Sequence, residues 1–240
     1  MLVDREPYIF EDGIARRLLD EQGETMIGYH RSSGSHPILA GTRLAVTVRS
    51  RFAEERLAAA VPRGIDQYVI LAAGLDTFAY RSPLAERITV YELDAPVTQQ
   101  WKLARMAEAA VEARGVTRHV PVDLRTDDVI GRLEAAGLDS TRPAFVSWLG
   151  ASFYLDQDAL DATLRALGRL APATEIVFDY VLAPHLRDED GETYSGFAKP
   201  VAAQSGEPWL SELDPDQMAG ILNRAGFEVS QQTGQRDSID

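Results

Sequence analysis

Three aspartates follow apolar segments of the chain at intervals that suit the ligand-binding edge of a sheet. Asp76 follows YVILAAGL, Asp94 follows ITVYEL, and Asp123 follows RHVPV. In an open α/β sheet, a nucleotide-like ligand lies against the turn after the first strand, and an acid about twenty residues further on accepts from its ribose hydroxyls. A carboxylate suits this role because it only accepts hydrogen bonds. We therefore predict that Asp94 binds a ribose.

Small residues occupy the turn after the first apolar run. Ala72, Ala73 and Gly74 remove side-chain bulk where a strand would pass into its helix, and Asp76 or Thr77 could cap that helix. The turn AAGLDT lacks the glycine pattern that lets a backbone approach a pyrophosphate, and the charge of Asp76 disfavours a diphosphate. A ligand with a ribose but no phosphate fits better, and S-adenosylmethionine is such a ligand.

The elements that position these residues alternate between strand and helix after residue 65. We predict strands at 68–71, 88–93, 118–122, 144–149, 175–181 and 227–233, and helices at 96–114, 127–136, 156–170 and 214–225. Repeated βα units predict an α/β fold with a doubly wound, mostly parallel sheet. Before this core, 8–30 has a helical pattern, 29–41 is typical of a loop, and 42–61 is typical of a helix.

The whole chain, 1–240, is predicted to form one domain. Its parts are an N-terminal helical cap at 1–64, a ligand-binding core at 65–182, a lid or substrate loop at 183–213, and a C-terminal helix and strand at 214–240. The segment 183–213 is polar and marked by glycine and proline, and an insertion of that length is commonly a lid or binding loop.

Composition excludes several classes of protein. The chain has 240 residues, a formal net charge of −13 and no cysteine, which argues against a nucleic-acid surface and excludes disulfides and thiolate chemistry. Its four histidines fit no metal motif. An acidic N-terminus and the lack of a long apolar run predict a soluble, cytoplasmic protein with no membrane partner. A homodimer remains an open option.

Several stretches resemble the leucine carboxyl methyltransferase family of S-adenosylmethionine-dependent enzymes, and within it the bacterial polyketide carboxyl O-methyltransferases of the tetracenomycin type. They are VRSRFAEERL, ILAAGLDTFAYR, YELDAP, VDLR, SWLGASFYL and GEPWLSELDPDQMAGILNRAGFEV. This resemblance implies a class I methyltransferase, Rossmann-like fold, and S-adenosylmethionine as cofactor. The resemblance also implies a sheet that ends with a seventh, antiparallel strand. The residues after Thr233 are too few to supply it, so we expect either a truncated or partly represented form or a sheet that is closed differently.

The resemblance also implies residue roles. Arg49 would bind the methionine carboxylate, Ala72 to Gly74 would pass beneath the cofactor, and Asp94 would bind the ribose. The remaining cofactor contacts would come from Asp76, from Asp123 and Leu124 at the adenine, and from Trp148 and Leu149 in the segment 148–154 that lines the methyl channel. Two residues depart from the family pattern: Ala72 replaces a glycine, and Leu149 replaces a glutamate that helps to hold the cofactor's amino-acid end.

The predicted reaction is methyl transfer to an oxygen of a small-molecule acceptor. A carboxylate acceptor is ionised at neutral pH and needs no general base, whereas a phenol would need one. Arg125 and Tyr154 are candidates to hold an acceptor carboxylate, and the substrate candidates are Tyr180, His185 as a possible base, and Trp209 as an aromatic wall. The alternatives are a phenolic O-methyltransferase, a protein C-terminal carboxyl methyltransferase and a non-catalytic cofactor-binding protein. An NAD-dependent oxidoreductase is disfavoured by the missing phosphate-binding glycines.

Overall fold

A five-stranded parallel sheet forms the centre of the chain in the computed structural model, which describes residues 3, 6, 8–19, 21–235 and 237. Its strands are β1 (Gln67–Leu71), β2 (Thr89–Asp94), β3 (Thr117–Pro121), β4 (Phe145–Trp148) and β5 (Glu175–Phe178). They lie in the order β3-β2-β1-β4-β5, and each neighbouring pair is parallel. The strand order reverses beside β1, which is where ligands bind in such sheets.

Helices cover both faces of this sheet. The α-helices are α1 (Glu21–Ser32), α2 (Pro37–Ala60), α3 (Phe78–Arg81), α4 (Pro96–Glu108), α5 (Val129–Ala135), α6 (Gln157–Leu167), α7 (Glu189–Gln204) and α8 (Pro215–Arg224). Short 3₁₀ turns lie at Ala15–Leu18, Val61–Arg63, Pro83–Glu86, Ser152–Tyr154 and Pro184–Leu186. None of the helices in the described ranges is both long and apolar enough to span a lipid bilayer.

Two apolar cores hold the layers together. The first core packs α5, α6 and α8 against one sheet face, and the second packs the end of α2 with α3 and α4 against the other. Every residue of β1 is buried, as expected for a central parallel strand covered on both faces. The predicted doubly wound fold class is confirmed, and each predicted core strand begins within one residue of its observed start.

The predicted loop at 29–41 is wrong. α1 continues to Ser32 and α2 begins at Pro37, so the connection between the two helices is short. Pro37 stands at the first helical position, where its fixed φ and missing N–H cost nothing. The serine, glycine and proline residues of this stretch therefore mark a helix boundary rather than a long loop.

The predicted lid at 183–213 contains a helix that the sequence interpretation missed. Asp188 caps α7 by accepting a hydrogen bond from the Gly191 amide at 2.7 Å. Acidic residues at 189, 190 and 192 fill the first turn of the helix, where negative charge is favourable. The polar composition therefore reflects a capped surface helix. The division of the chain into cap, core and lid stays a prediction.

The predicted sixth strand at 227–233 is also wrong. Within the described residues this segment pairs with no other strand, and its residues after Phe227 are mostly exposed. The backbone N–H and C=O groups of a strand need hydrogen-bond partners on a neighbouring strand. The sequence of the segment alone does not show whether such a neighbour is present. α4 likewise ends at Glu108 rather than Arg114, and Ala110 just beyond it has a left-handed φ of 48°.

Candidate functional site

The carboxyl ends of four strands meet at one edge of the sheet. Leu71 at the end of β1 is in register with Leu93 of β2 and Trp148 of β4, and Trp148 is in register with Phe178 of β5. The residues that follow therefore lie side by side: the turn at 72–76, Asp94, Gly150 and Asp179. This row is the candidate functional site.

Asp94 holds the turn after β1 in place. Its Oδ2 accepts a hydrogen bond from the Gly74 amide at 2.5 Å, and its Oδ1 accepts one from the Ala95 amide at 2.7 Å. The Ala73 amide also bonds to the Leu93 carbonyl at 3.0 Å. A carboxylate has about four acceptor positions, so Asp94 retains capacity for ligand hydroxyls beside a turn without side-chain bulk.

Ala72 is strained in this turn. Its φ is 52°, in the left-handed region, which costs a residue with a Cβ roughly 1–2 kcal/mol. Glycine would remove that cost but would lose about 0.5–1 kcal/mol through the greater freedom of the unfolded chain. We expect Ala72→Gly to raise the free energy of unfolding by up to about 1 kcal/mol in urea titrations. Ala173→Gly is the matched control, because Ala173 also has a left-handed φ, of 69°, but lies outside the site. A destabilised Ala72→Gly variant would contradict the assignment of strain.

Asp76, rather than Thr77, caps α3. The Asp76 Oδ1 accepts from the Phe78 amide at 2.7 Å. Thr77 makes no capping bond; its hydroxyl donates to Asp12 Oδ2 at 2.6 Å and accepts from Arg81 Nε at 2.9 Å. The turn is thereby tied to the N-terminal segment, and the predicted contact between Asp76 and a cofactor stays a prediction.

Asp76 destabilises the fold in its ionised form. Burial raises the pKa of its carboxyl, and the positive charge of Lys102 only partly opposes this. Since the folded pKa lies above the unfolded value of about 3.9, the penalty is present at neutral pH and disappears as the pH falls through the folded pKa to the unfolded one. We expect Asp76→Asn, which keeps the capping oxygen, to be more stable than the unchanged chain at pH 7 but not near pH 4. Urea unfolding at both values measures this, and a less stable variant at pH 7 would contradict it.

Arg49 and Asp179 meet at the ends of β4 and β5. Arg49 reaches from α2, and its Nη1 lies 2.9 Å from Asp179 Oδ2. The Gly150 amide donates to Asp179 Oδ1 at 2.6 Å. Gly150 has a φ of 73°, and a Cβ there would lie 2.2 Å from Arg49 Nη2, so the guanidinium depends on the absence of a side chain. We call Arg49, Gly150 and Asp179 the arginine–aspartate node.

Asp179 was not among the predicted site residues. The signal that could have found it is the one that identified Asp94, because Asp179 directly follows the strand segment EIVF. The side chains of Arg49 and Asp179 are 27% and 30% exposed, so a ligand can reach both.

Arg125 pairs with Asp123, the acid two residues before it. Its Nε lies 3.1 Å from Asp123 Oδ1 and its Nη2 lies 3.1 Å from Oδ2. Hydrogen bonds from Arg125 lower the pKa of the Asp123 carboxyl. Both residues follow β3, an edge strand that is separated from β4 by β2 and β1. The roles of Arg125 and Tyr154 at an acceptor carboxylate, and of Asp123 and Leu124 at the adenine, stay predictions. Leu124 packs against the first core.

Tyr154 and Trp209 are brought together in an aromatic cluster. The Phe153 ring lies 4.7 Å from Tyr154 and 5.2 Å from Trp209, and Tyr194 of α7 lies 6.4 Å from Trp209. Trp209 is hydrogen-bonded to Tyr154, whose pKa is nevertheless raised by burial. The Tyr154 phenol is therefore protonated at neutral pH. We call these four residues the aromatic wall.

The side chains of Trp148, Tyr180 and His185 contact groups outside the arginine–aspartate node, although Trp148 and Tyr180 are close to Gly150 and Asp179 in the chain. Trp148 is fully buried in the first core, its Nε1 has no hydrogen-bond partner among the described residues, and Tyr180 packs against the same core. Burial raises the pKa of Tyr180, whose hydroxyl bonds to Gln232. His185 is exposed, with Nε2 3.5 Å from Asp214 Oδ1. Cofactor contact by Trp148 and substrate contact by the other two stay predictions. The half-buried Leu149 presents no charge to the site.

The family of the chain follows from a comparison with family models. Residues 2–168 match the model described as leucine carboxyl methyltransferase. The chain belongs to this family. The family prediction made from ILAAGLDTFAYR and ELDAP is thus confirmed, and the narrower resemblance to the tetracenomycin type stays a prediction.

Relatives of this leucine carboxyl methyltransferase family member are found in mycobacteria. A "Putative S-adenosyl-L-methionine-dependent methyltransferase" of Mycolicibacterium gilvum is 40% identical over 161 residues, which are 65% of this chain and 50% of the relative. The chain therefore spans about half the length of the curated relatives that it matches.

Solved structures share the fold of this family member. A DUF574 family protein from Streptomyces avermitilis superposes with a TM-score of 0.58 at 18% identity, covering 92% of this chain and 78% of that protein. An O-methyltransferase family protein from Burkholderia thailandensis gives 0.51 at 16% identity, covering 82% and 60%. At these identities the likeness shows the Rossmann-like fold alone.

Proposed function

We propose that the chain binds S-adenosylmethionine and transfers its methyl group to an oxygen of a small-molecule carboxylate, forming a methyl ester. The observation that carries this proposal is the row at the sheet edge. Asp94 and Arg49 lie on opposite sides of a turn without side-chain bulk, an acceptor on one side and a cation on the other. The family and the names of the mycobacterial relatives support the same activity.

The adenosyl half of the cofactor suits the β1–β2 side of the row. The small residues at 72–74 place no large side chain against a nucleoside bound there, and Asp94 can accept from both ribose hydroxyls. Asp123 follows β3, the strand next to β2, and its carboxylate can accept from the adenine amino group. The sequence thus predicts the sugar and base contacts at neighbouring strand ends.

The amino-acid half of the cofactor suits the β4–β5 side. The Arg49 guanidinium presents several N–H donors and is always charged, so a carboxylate is its natural ligand. The cofactor would then lie across the strand ends, with its sulfonium between the two halves and near the segment 150–154.

A carboxylate acceptor fits the chemistry of the site better than a phenol. Methyl transfer from a sulfonium is an in-line displacement, and a carboxylate is already ionised at neutral pH. Catalysis then consists of aligning oxygen and methyl and excluding water. The raised pKa of Tyr154 makes it a hydrogen-bond donor rather than a base, and the predicted base His185 is exposed beside Asp214. The aromatic wall supports a flat, aromatic acceptor.

The test measures binding and transfer separately. Calorimetry with S-adenosylhomocysteine reports cofactor binding, and methyl transfer from radiolabelled S-adenosylmethionine is then followed against matched pairs of aromatic acids and phenols. We expect base-labile methyl esters from the acids. Transfer only to phenols would favour the phenolic alternative, transfer only to a peptide C-terminus would favour the protein methyltransferase, and binding without transfer would favour a non-catalytic binding protein.

A further inference from the structure

We infer that Asp179 binds the α-ammonium group of the cofactor, beside Arg49 at the α-carboxylate. The inference rests on the proposed function and deepens it. It assigns a residue that no motif resemblance marked, and it places both charged groups of the amino-acid end at the arginine–aspartate node.

The node fixes the orientation of the Asp179 carboxylate but does not use all of its hydrogen-bond acceptor positions. The Gly150 amide holds Oδ1 at 2.6 Å, and Arg49 Nη1 holds Oδ2 at 2.9 Å. Each carboxylate oxygen has a further lone pair, and 30% of the side chain is exposed. The carboxylate is therefore fixed in direction, reachable from solvent and able to accept from an ammonium.

The charges of the node match those of the ligand. The amino-acid end of the cofactor is a zwitterion, and Arg49 with Asp179 is also a neutral pair of opposite charges. The α-carboxylate of the cofactor would pair with the Arg49 guanidinium, and its α-ammonium would pair with the Asp179 carboxylate. All four charges are then paired, which is favourable because an unpaired charge removed from water is costly.

Other acids near this edge are less suited to the ammonium. Asp94 holds the turn on the β2 side, and Asp76 caps α3. Position 149, where the family pattern has an acid, is leucine in this chain. Glu207 influences the pKa of Tyr154 through its charge, but it is exposed in the connection after α7. Within the described part of the chain, Asp179 is the carboxylate that contacts Arg49.

The test compares ligands that differ by one charged group. Asp179→Asn keeps an oxygen for the Gly150 amide and removes the negative charge. Calorimetry is run with S-adenosylhomocysteine and with its analogue that lacks only the α-amino group. We expect the variant to bind S-adenosylhomocysteine about 10- to 100-fold more weakly, as for a lost hydrogen bond to a charged group, and to bind the deamino analogue within twofold of the unchanged chain. Glu207→Gln, the matched control, should leave both affinities unchanged.

Each outcome decides the assignment. If Asp179→Asn lowers both affinities equally, Asp179 only supports the local structure and the inference is overturned. If neither affinity changes, another group binds the ammonium and the inference is overturned while the proposed function stands. If the unchanged chain binds no S-adenosylhomocysteine, the proposed function and the inference both fail.

Discussion

Asp94→Ala should lower the affinity for S-adenosylhomocysteine at least about 100-fold. In the proposed binding mode the variant loses the acceptor for two ribose hydroxyls. Hydrogen bonds to a charged group are worth about 1.5–3 kcal/mol each, and 1.4 kcal/mol is tenfold in affinity. The variant also releases the Gly74 amide, which Asp94 Oδ2 holds at 2.5 Å. The substitution would therefore remove both the hydrogen bond that holds the turn after β1 and the proposed acceptor of the ribose hydroxyls.

Calorimetry on the variant and on Asp158→Ala measures this effect. Asp158 is an exposed acid in the first turn of α6, so its loss changes the net charge by the same amount without touching the row of strand ends. An Asp94→Ala variant that binds as tightly as Asp158→Ala would remove the basis for an adenosyl site at β1 and β2.

Gly150→Ala should disable the amino-acid end of the site. The new Cβ would lie 2.2 Å from Arg49 Nη2 and 2.7 Å from Cζ, so the guanidinium must leave its position and its bond to Asp179. The φ of 73° adds a left-handed strain of about 1–2 kcal/mol. We expect affinity for S-adenosylhomocysteine to fall more than about tenfold, the cost of one charge-assisted contact, together with a lower free energy of unfolding.

Gly64→Ala separates the two effects. Gly64 has a φ of 97°, and a Cβ there meets nothing within 4 Å, so this control carries backbone strain without a clash. Urea unfolding should show a loss in both variants, whereas calorimetry should show weakened binding in Gly150→Ala alone. Equal affinities in the two variants would mean that the position of Arg49 does not matter for the ligand.

Local patterns predicted the parts of the fold that depend on local physics. The apolar run before Ala72 and the small residues after it predicted β1 and its turn, because burial on both faces selects such runs. Asp94 could be named as a candidate site residue because it stands at the end of the next strand. The pairing of Asp123 with Arg125, two residues away, was equally local and could have been anticipated from the short reach between them.

Contacts between segments that are far apart in the chain could not be predicted from local sequence patterns. Arg49 and Asp179 are 130 positions apart in the chain, and no spacing rule connects a helix residue with the end of the fifth strand. The segment 227–233 has the composition of a strand but no partner among the described residues, and pairing is decided by tertiary structure. α7 was missed because its caps and charges also suit a polar loop.

The three tryptophans of the chain occupy three different environments. Trp148 is sealed in the first core, Trp101 on α4 is half exposed, and Trp209 belongs to the aromatic wall. Indole emission responds to polarity and to stacking. If the acceptor binds at the aromatic wall as proposed, its binding should change the fluorescence of Trp209, whereas the emission of the other two tryptophans should stay constant. With Trp101 replaced by phenylalanine, intrinsic fluorescence would report contact of an acceptor with the aromatic wall, without an attached dye.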